Sequence, residues 1–433
     1  MPEERVKAEE LLGRHPAEIA AEVEHLPERE ILQILLELPR ELAGDVLEQL
    51  RPRLSARLVS HLDPEEASEL LEEMAPDEAA DVLEQLPEAE QQEILEQMAE
   101  DEAKLLEELI AYPPDTAGGI MSPDVVALSR ELRVEEALAE LRRIAEEVET
   151  VYYVYVVDEE HHLLGVIPMR DLALSPPRRQ ITEVMVPEVL KVEVGMDKEE
   201  VAHLFEQYDY LALPVVDPQN RLLGIVTADD VLDVVRQEAT EDFLKFGGIS
   251  GGEEYPLTPA RFSIRRRLPW MAANILFNLI AVSAIALFES TLARVVALAV
   301  IMPIISDMGG NVGLQALSVS IRGLAVGEVS IKLLWRVVRK ELTVGLVNGL
   351  ILGLQLGLIA YFWRGSPFLG LVASLALWIN TIVAGVLGAA LPILLKWLGL
   401  DPAMMTGAIL TTITDFSGFF IFLGLGTLLL ARL

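Results

Sequence analysis

Two carboxylates stand in otherwise apolar stretches of this sequence. Asp307 lies in Pro303-Ile-Ile-Ser-Asp-Met-Gly309-Gly310-Asn311-Val-Gly313-Leu-Gln315, and Asp415 in Thr411-Thr412-Ile-Thr414-Asp415-Phe-Ser417-Gly418. At about 1.5 Å per residue from Ala403, Asp415 sits roughly 18 Å into an apolar helix, near the midplane of a bilayer. An ionised carboxylate there costs a few kcal/mol or more unless it faces water, a cation or a partner. No Lys, Arg or His lies at matching depth. A permeating cation is therefore its natural partner, with the hydroxyls of Thr411, Thr412, Thr414 and Ser417 around it. Gly309, Gly310, Gly313, Gly418 and Pro303 permit either close helix packing or broken helices whose freed carbonyls face a cavity.

Other carboxylates crowd the first part of the chain. Asp77 and Asp81 are one helical turn apart and can share a cation, or can belong to an ordinary solvated acidic face. Asp229, Asp230, Asp233, Glu238, Glu241 and Asp242 fall along a predicted helix from Ala228 to about Phe246, opposed only by Arg236 and Lys245. Taken alone, that run reads as a solubilising linker. Several familiar chemistries are missing. All 6 histidines precede the apolar region, so no zinc protease motif H-E-x-x-H lies in it. His161 and His162 fall in a predicted turn, where solvent exposure is the reading over metal ligation. There are 0 cysteines, which removes disulfides, thiolate sites and cysteine nucleophiles. No G-x-x-x-x-G-K-[ST] phosphate loop occurs.

The charge and the hydropathy are segregated. The 433 residues carry 68 Asp+Glu against 34 Lys+Arg, a net charge of −34, yet 52% are hydrophobic. Met1 to Ile264 hold a net of −40 and Arg265 to Leu433 a net of +6. The acidic balance excludes nucleic acid as a partner, because phosphate backbones demand Lys and Arg. The charged N-terminus has no apolar core of a cleavable signal peptide. Five apolar stretches can each span a bilayer: Met271–Phe288, Leu292–Ile321, Leu342–Trp363, Phe368–Leu395 and Ala403–Leu430. Arg265, Arg266 and Arg267 precede the first, Lys332, Arg336, Arg339 and Lys340 separate the second from the third, and Lys396 follows the fourth. The positive-inside rule then puts the acidic half in the cytoplasm and the C-terminus outside a cell membrane.

Two repeats organise the acidic half. Leu26, Leu38, Leu50, Leu62, Met74, Leu86 and Met98 keep a 12-residue period, and Pro27, Pro39, Pro52, Pro64, Pro76 and Pro87 follow the first six. Proline is tolerated in the first turn of a helix and not inside it, so each copy is a short helix that restarts at its proline. Such units bury their apolar stripes against one another in a helical stack. A second repeat, near 60 residues, matches Met121-Ser-Pro to Met185-Val-Pro. It also matches the hairpin about Asp158–His162 to that about Asp217–Arg221. This second repeat resembles a tandem pair of CBS domains. Gly224-Ile-Val-Thr227-Ala-Asp229-Asp230 fits that family's ribose-and-phosphate motif, whereas the first copy has Pro168 in place of the hydroxyl residue. The resemblance implies one adenine-nucleotide site, with ATP as candidate ligand and Tyr153, Arg170 and Tyr210 framing it beside Thr227 and Asp229.

The order of acidic helical repeat, CBS pair, acidic connecting helix and five spans resembles the MgtE family of magnesium channels. Gly309-Gly310-Asn311-x-Gly313-x-Gln315 and Thr414-Asp415-x-x-Gly418 look like that family's pore motifs. The resemblance implies a multidomain fold. An all-α superhelical N-terminal domain occupies 1–115, α/β tandem CBS domains 116–227, a connecting helix 228–249 and an all-α five-helix transmembrane domain 250–433. It implies a homodimer in the bilayer, with Asp415 of both subunits facing hydrated magnesium. It also implies that Asp77, Asp81, Asp230, Asp233, Glu238, Glu241 and Asp242 bind regulatory magnesium, with Asp197, Glu199, Asp209 and Asp401 adding charge nearby. Magnesium dehydrates reluctantly, so carboxylates acting through water suit it. Two alternatives come from other classes. A CBS-regulated secondary transporter is disfavoured by five spans without an internal repeat. An intramembrane aspartyl protease would use Asp307 and Asp415 as a shared-proton dyad, but neither stands in the Gly-x-Gly-Asp setting of that class.

Overall fold

The computed structural model describes residues 11–144, 151–249, 254 and 258–429. The two ends of the chain and the start of the segment at 250, which the sequence assigns to the first and last domains, lie partly outside these residues. Two compact units divide between Arg236 and Gln237.

Among the described residues, the first unit opens with eight short helices: α1 (Pro16–Val23), α2 (Glu28–Glu37), α3 (Arg40–Glu48), α4 (Pro52–Val59), α5 (Pro64–Leu71), α6 (Pro76–Glu84), α7 (Glu88–Leu95) and α8 (Glu100–Ile110). Prolines 16, 52, 64 and 76 occupy the first turn, where the missing N–H costs nothing, and Pro27, Pro39 and Pro87 stand at the N-cap. Leu38, Leu50, Met74, Leu86 and Met98 of the 12-residue series are buried. Each such side chain removed from water stabilises the stack by about 1.5–3 kcal/mol.

Two three-stranded sheets follow. The first comprises β1 (Ala127–Ser129), β2 (Tyr153–Val157) and β3 (Leu163–Pro168), flanked by α9 (Val134–Arg143) and α10 (Met169–Leu174). The second comprises β4 (Val192–Glu193), β5 (Ala212–Val216) and β6 (Leu222–Thr227), with α11 (Lys198–Tyr208) before β5 and α12 (Ala228–Phe246) after β6. In each, the first pair is parallel and the second antiparallel, with an irregularity at Val156/Val157 and again at Val215/Val216. The hairpin turns are built alike. Asp158 Oδ1 accepts from His162 N and Asp217 Oδ1 from Arg221 N, both at 2.8 Å.

The copies exchange their leading segments. Ser122 of the first pairs with Ile225 on β6 of the second, and Val186 of the second with Val166 on β3 of the first. Gly224 and Gly165 allow these approaches: a Cβ on either would press into Ser122 O or Met185. One continuous core then runs from the helical stack through Met121 into Val192, Val215, Val226 and Val231. That core positions the start of α12 against α6.

The second unit carries α13 (Ala260–Leu287), α14 (Glu289–Arg294), α15 (Val296–Ala325), α16 (Leu334–Arg364), α17 (Pro367–Trp397) and α18 (Pro402–Leu428). Among the described residues, five helices are long and apolar enough to cross a membrane: α13, α15, α16 (counted with the turn before it), α17 and α18. The second apolar stretch differs from its sequence reading: it begins in the separate helix α14, and α15 is then one unbroken helix through Pro303. Pro303 lacks the amide that would bond the Ala299 carbonyl, yet its neighbours keep their helical form. Helix α17 is the most enclosed of the five. Gly345, Gly349, Gly353 and Gly357 let the backbone of α16 lie directly on Ile382, Trp378 and Ser374 of α17.

Candidate metal sites and ion pathway

Helices α15 and α18 enclose one side of a cavity of about 460 Å³. Pro303, Ser306, Asp307, Gly310 and Asn311 reach it from α15, and Thr411, Asp415 and Phe419 from α18. The spacing explains the set, because residues three and four apart share a helix face. Asp307 and Asp415 are the charged groups of the lining, and no cationic side chain joins them. Ser306 Oγ donates to Asp415 Oδ1, and Asn311 Nδ2 donates to Asp307 Oδ2 at 3.2 Å. A methyl group on Gly310 would meet nothing within 4 Å, so the cavity reaches its backbone.

The sequence reading surrounded Asp415 with four hydroxyls, and the structure corrects this. Thr411 lines the cavity, but Thr412 and Thr414 are buried and return their hydroxyls to the carbonyls of Ala408 (2.7 Å) and Thr411 (3.0 Å). Helical threonines commonly satisfy themselves in this way. Ser417 instead directs its one hydroxyl proton between Asn380 Oδ1, at 2.8 Å, and Thr414 O, at 3.0 Å. Ser306 and Asn380 were missed. A lone amide in an apolar helix was the available signal for Asn380.

A second acidic group lies in the first unit. Asp77 and Glu78 occupy the first turn of α6, Asp81 follows one turn on, and Asp230 stands in the first turn of α12. All four are half-buried. Burial, opposed by hydrogen bonds and joined by repulsion from Asp124 and Asp81, pushes Asp77 up to about 6. Burial and the charges of Asp81, Asp77 and Asp230 push Glu78 up to about 9. Burial, with Glu84 and Asp230, raises Asp81 to about 7, and burial raises Asp230 to about 7 despite its bond to Thr227. Burial is the largest cause in all four, and the smaller mutual repulsion places the carboxylates in one field. Glu78 escaped the sequence reading, although it is three residues from Asp81.

The remaining carboxylates divide. Asp229 and Asp233 are exposed, and Asp233 lies 3.8 Å from Arg236. Asp197 caps α11 by accepting from Glu199 N at 2.8 Å, and Asp209 ends the same helix in the left-handed conformation. Both, like Glu199, are exposed. In the second unit Asp401 caps α18, and Lys245 Nζ bridges it at 3.3 Å to Glu241 at 3.0 Å. Burial raises Asp242 beside them, aided by Asp401, Glu238 and Glu241 and opposed by Lys245. Among the described residues, the one trio with ligand atoms all within 4.8 Å of one another is Asp158, Glu160 and His162, in the first hairpin turn. The acidic group at α6 is thus more open than a direct three-ligand chelate.

The candidate nucleotide residues have varied surroundings. Tyr153 borders a cavity of about 10 Å³ beside Tyr155 and Ile225, room for one water. Arg170 is exposed, and Tyr210 lies 6.1 Å from the ring of Tyr208. Thr227 gives both its N–H (3.0 Å) and its hydroxyl to Asp230 Oδ2. This variant of a capping box closes the start of α12.

Comparison with known proteins covers most of the chain. Residues 14–115 match the MgtE intracellular N domain, 117–175 and 181–237 the CBS domain, and 302–425 the divalent cation transporter domain MgtE. The magnesium transporter MgtE of Thermus thermophilus is 41% identical over 327 residues, 75% of this chain and 72% of that protein. That of Bacillus subtilis is 38% identical over 325 residues, again 75% and 72%. The crystal structure of the cytosolic domain of the Mg2+ channel MgtE in complex with ATP superposes with a TM-score of 0.51 and 40% identity. It covers 52% of this chain and 93% of that one. The helical N-domain, the CBS pair and the five apolar helices thus belong to a multi-pass transporter with an intracellular N domain, not to an enzyme. This chain is a member of the MgtE family of magnesium transporters.

Proposed function

We propose that this chain forms a magnesium-selective uptake channel, a homodimer driven by the membrane potential and shut by cytosolic magnesium. The observation that carries the reading is Asp415, facing an open cavity that it shares with Ser306, Asp307, Asn311 and Thr411, beside apolar Met302, Leu314 and Phe419, and with no cationic side chain. Two copies would offer a formal charge of −2 to one hydrated divalent ion, with Ser306, Asn311 and Thr411 holding its water. A cavity of about 460 Å³ is roomy enough for an ion that keeps its hydration shell. The potential supplies about 2.3 kcal/mol per charge per 100 mV, hence roughly 4.6 for a divalent cation moving inward.

The regulatory half of the proposal rests on charge. Asp77, Glu78, Asp81 and Asp230 repel one another in the first unit, and Glu238, Glu241, Asp242 and Asp401 carry like charge in the second. Magnesium bound among these carboxylates removes the repulsion and stabilises the arrangement that closes the pathway. Low magnesium restores the repulsion and opens it. ATP is a candidate modulator through the CBS pair, because a relative's cytosolic domain binds it.

The test is magnesium uptake into vesicles holding the purified full chain, under an imposed inside-negative potential. Asp415→Ala should abolish uptake without loss of folded protein. Normal uptake by a folded Asp415→Ala chain would remove this residue from the pathway.

A further inference from the structure

Asn380 is the most thoroughly enclosed amide of the membrane helices. It lies midway along α17, is 0% exposed, and belongs to neither the cavity lining nor the pore motifs. Its Nδ2 donates to Ile305 O on α15 at 3.2 Å, and its Oδ1 accepts from Ser417 Oγ on α18 at 2.8 Å. The orientation is fixed by chemistry, since the Ile305 carbonyl can only accept and so must face the nitrogen. Space for the amide comes from two glycines. A methyl group on Gly309 would collide with Asn380 Nδ2, and one on Gly418 would come within 2.8 Å of it. Those two glycines stand on the same two helices that the amide bridges.

The attachment points matter more than the bonds themselves. Ile305 immediately precedes Ser306, whose hydroxyl holds Asp415, and Ser417 follows Asp415 by two residues. A single buried side chain therefore ties the turn of α15 that carries Ser306 and Asp307 to the turn of α18 that carries Asp415. We infer that Asn380 is a positioning residue for the ion pathway: it fixes the spacing between the Ser306–Asp307 turn and Asp415, and so sets which hydrated divalent cation passes. The inference rests on the reading that the Asp415 cavity conducts. Buried polar groups with fixed partners hold a definite geometry, and this amide has a partner at each end. Sites that discriminate by shape lose selectivity when their supporting shell loosens by about 1 Å.

The experiment compares magnesium and cobalt(II) uptake by the full chain in vesicles. Asn380→Leu keeps the branched shape of the side chain with bulkier methyl ends and deletes both hydrogen bonds. The expected result is a fall of about tenfold in the magnesium-to-cobalt uptake ratio, with the detergent-purified protein keeping its elution volume. Equal losses for both ions, in proportion to lost folded protein, would assign Asn380 to packing alone and overturn the inference. An unchanged ratio at full uptake would overturn it as well. If Asn380→Leu fails to fold, Ser417→Ala carries the test, because it deletes one bond and leaves the amide in place. A ratio shift of a few-fold is then expected, and an unchanged ratio refutes the inference. Asp415→Ala serves as the reference. Uptake by that variant sinks the channel reading itself, whereas an inactive Asp415→Ala beside an unaltered Asn380→Leu ratio sinks this inference alone.

Discussion

Glu78 is the residue whose environment departs furthest from water among the four carboxylates at α6, with a pKa near 9. Asp81 and Asp230 follow near 7 and Asp77 near 6. All four are raised, so the folded chain binds protons that the unfolded chain has released. The stability they contribute is present below the ordinary carboxylate range and is lost as pH rises through 6 to 9. Without magnesium, the thermal midpoint of the full chain should fall between pH 5 and pH 9. Added magnesium should recover most at the alkaline end, where the carboxylates are ionised and the protons no longer compete. Glu78→Gln should flatten that slope. A pH profile identical to that of the unaltered chain would show that Glu78 is already relieved by another partner.

Elements explain why some of this was legible in the sequence. The 12-residue period and its prolines define α2 to α7 because proline has few places to go in a helix. Asp415 was legible because a carboxylate in an apolar helix has few innocent roles. Asn380 and the Gly345–Gly357 stripe were not. Their meaning depends on which helix faces which, and periodicity within one helix does not contain that information. Asp197 and Asp209 gain a helix-capping place that a count of acidic residues does not contain.

The end of α12 supplies a prediction at this scale. Lys245 already stands between Glu241 and Asp401 as a tethered cation, with its side chain 25% exposed. Magnesium acting at these carboxylates must displace that ammonium. Partly exposed pairs are worth up to about 1 kcal/mol, which corresponds to roughly fivefold in concentration. Lys245→Met should therefore lower the magnesium concentration that halves uptake by about that factor. A threshold that rises instead would mean the ammonium helps magnesium to hold the closed arrangement.

The whole molecule places acidic groups in both of its units, and α12 runs through the boundary between them at Arg236 and Gln237. Replacing Asp77, Asp230, Asp233 and Glu241 by Asn or Gln tests the regulatory proposal across that boundary. Uptake by the quadruple variant should persist at cytosolic-side magnesium that silences the unaltered chain, with Asp415 intact. Closure as complete as before would leave the acidic groups as solubilising charge.

The exchange of leading segments between the two CBS copies has a consequence for synthesis. The strand that receives Ser122 is β6, roughly a hundred residues downstream, and the strand that receives Val186 precedes it by only about twenty. On the ribosome the first copy is therefore left with an unmatched edge until β6 emerges, while the second finds its partner waiting. The last strand completed, β6, leads directly into the helix that carries Asp230. Completion of the CBS pair and the start of α12 are one event in the birth of the chain.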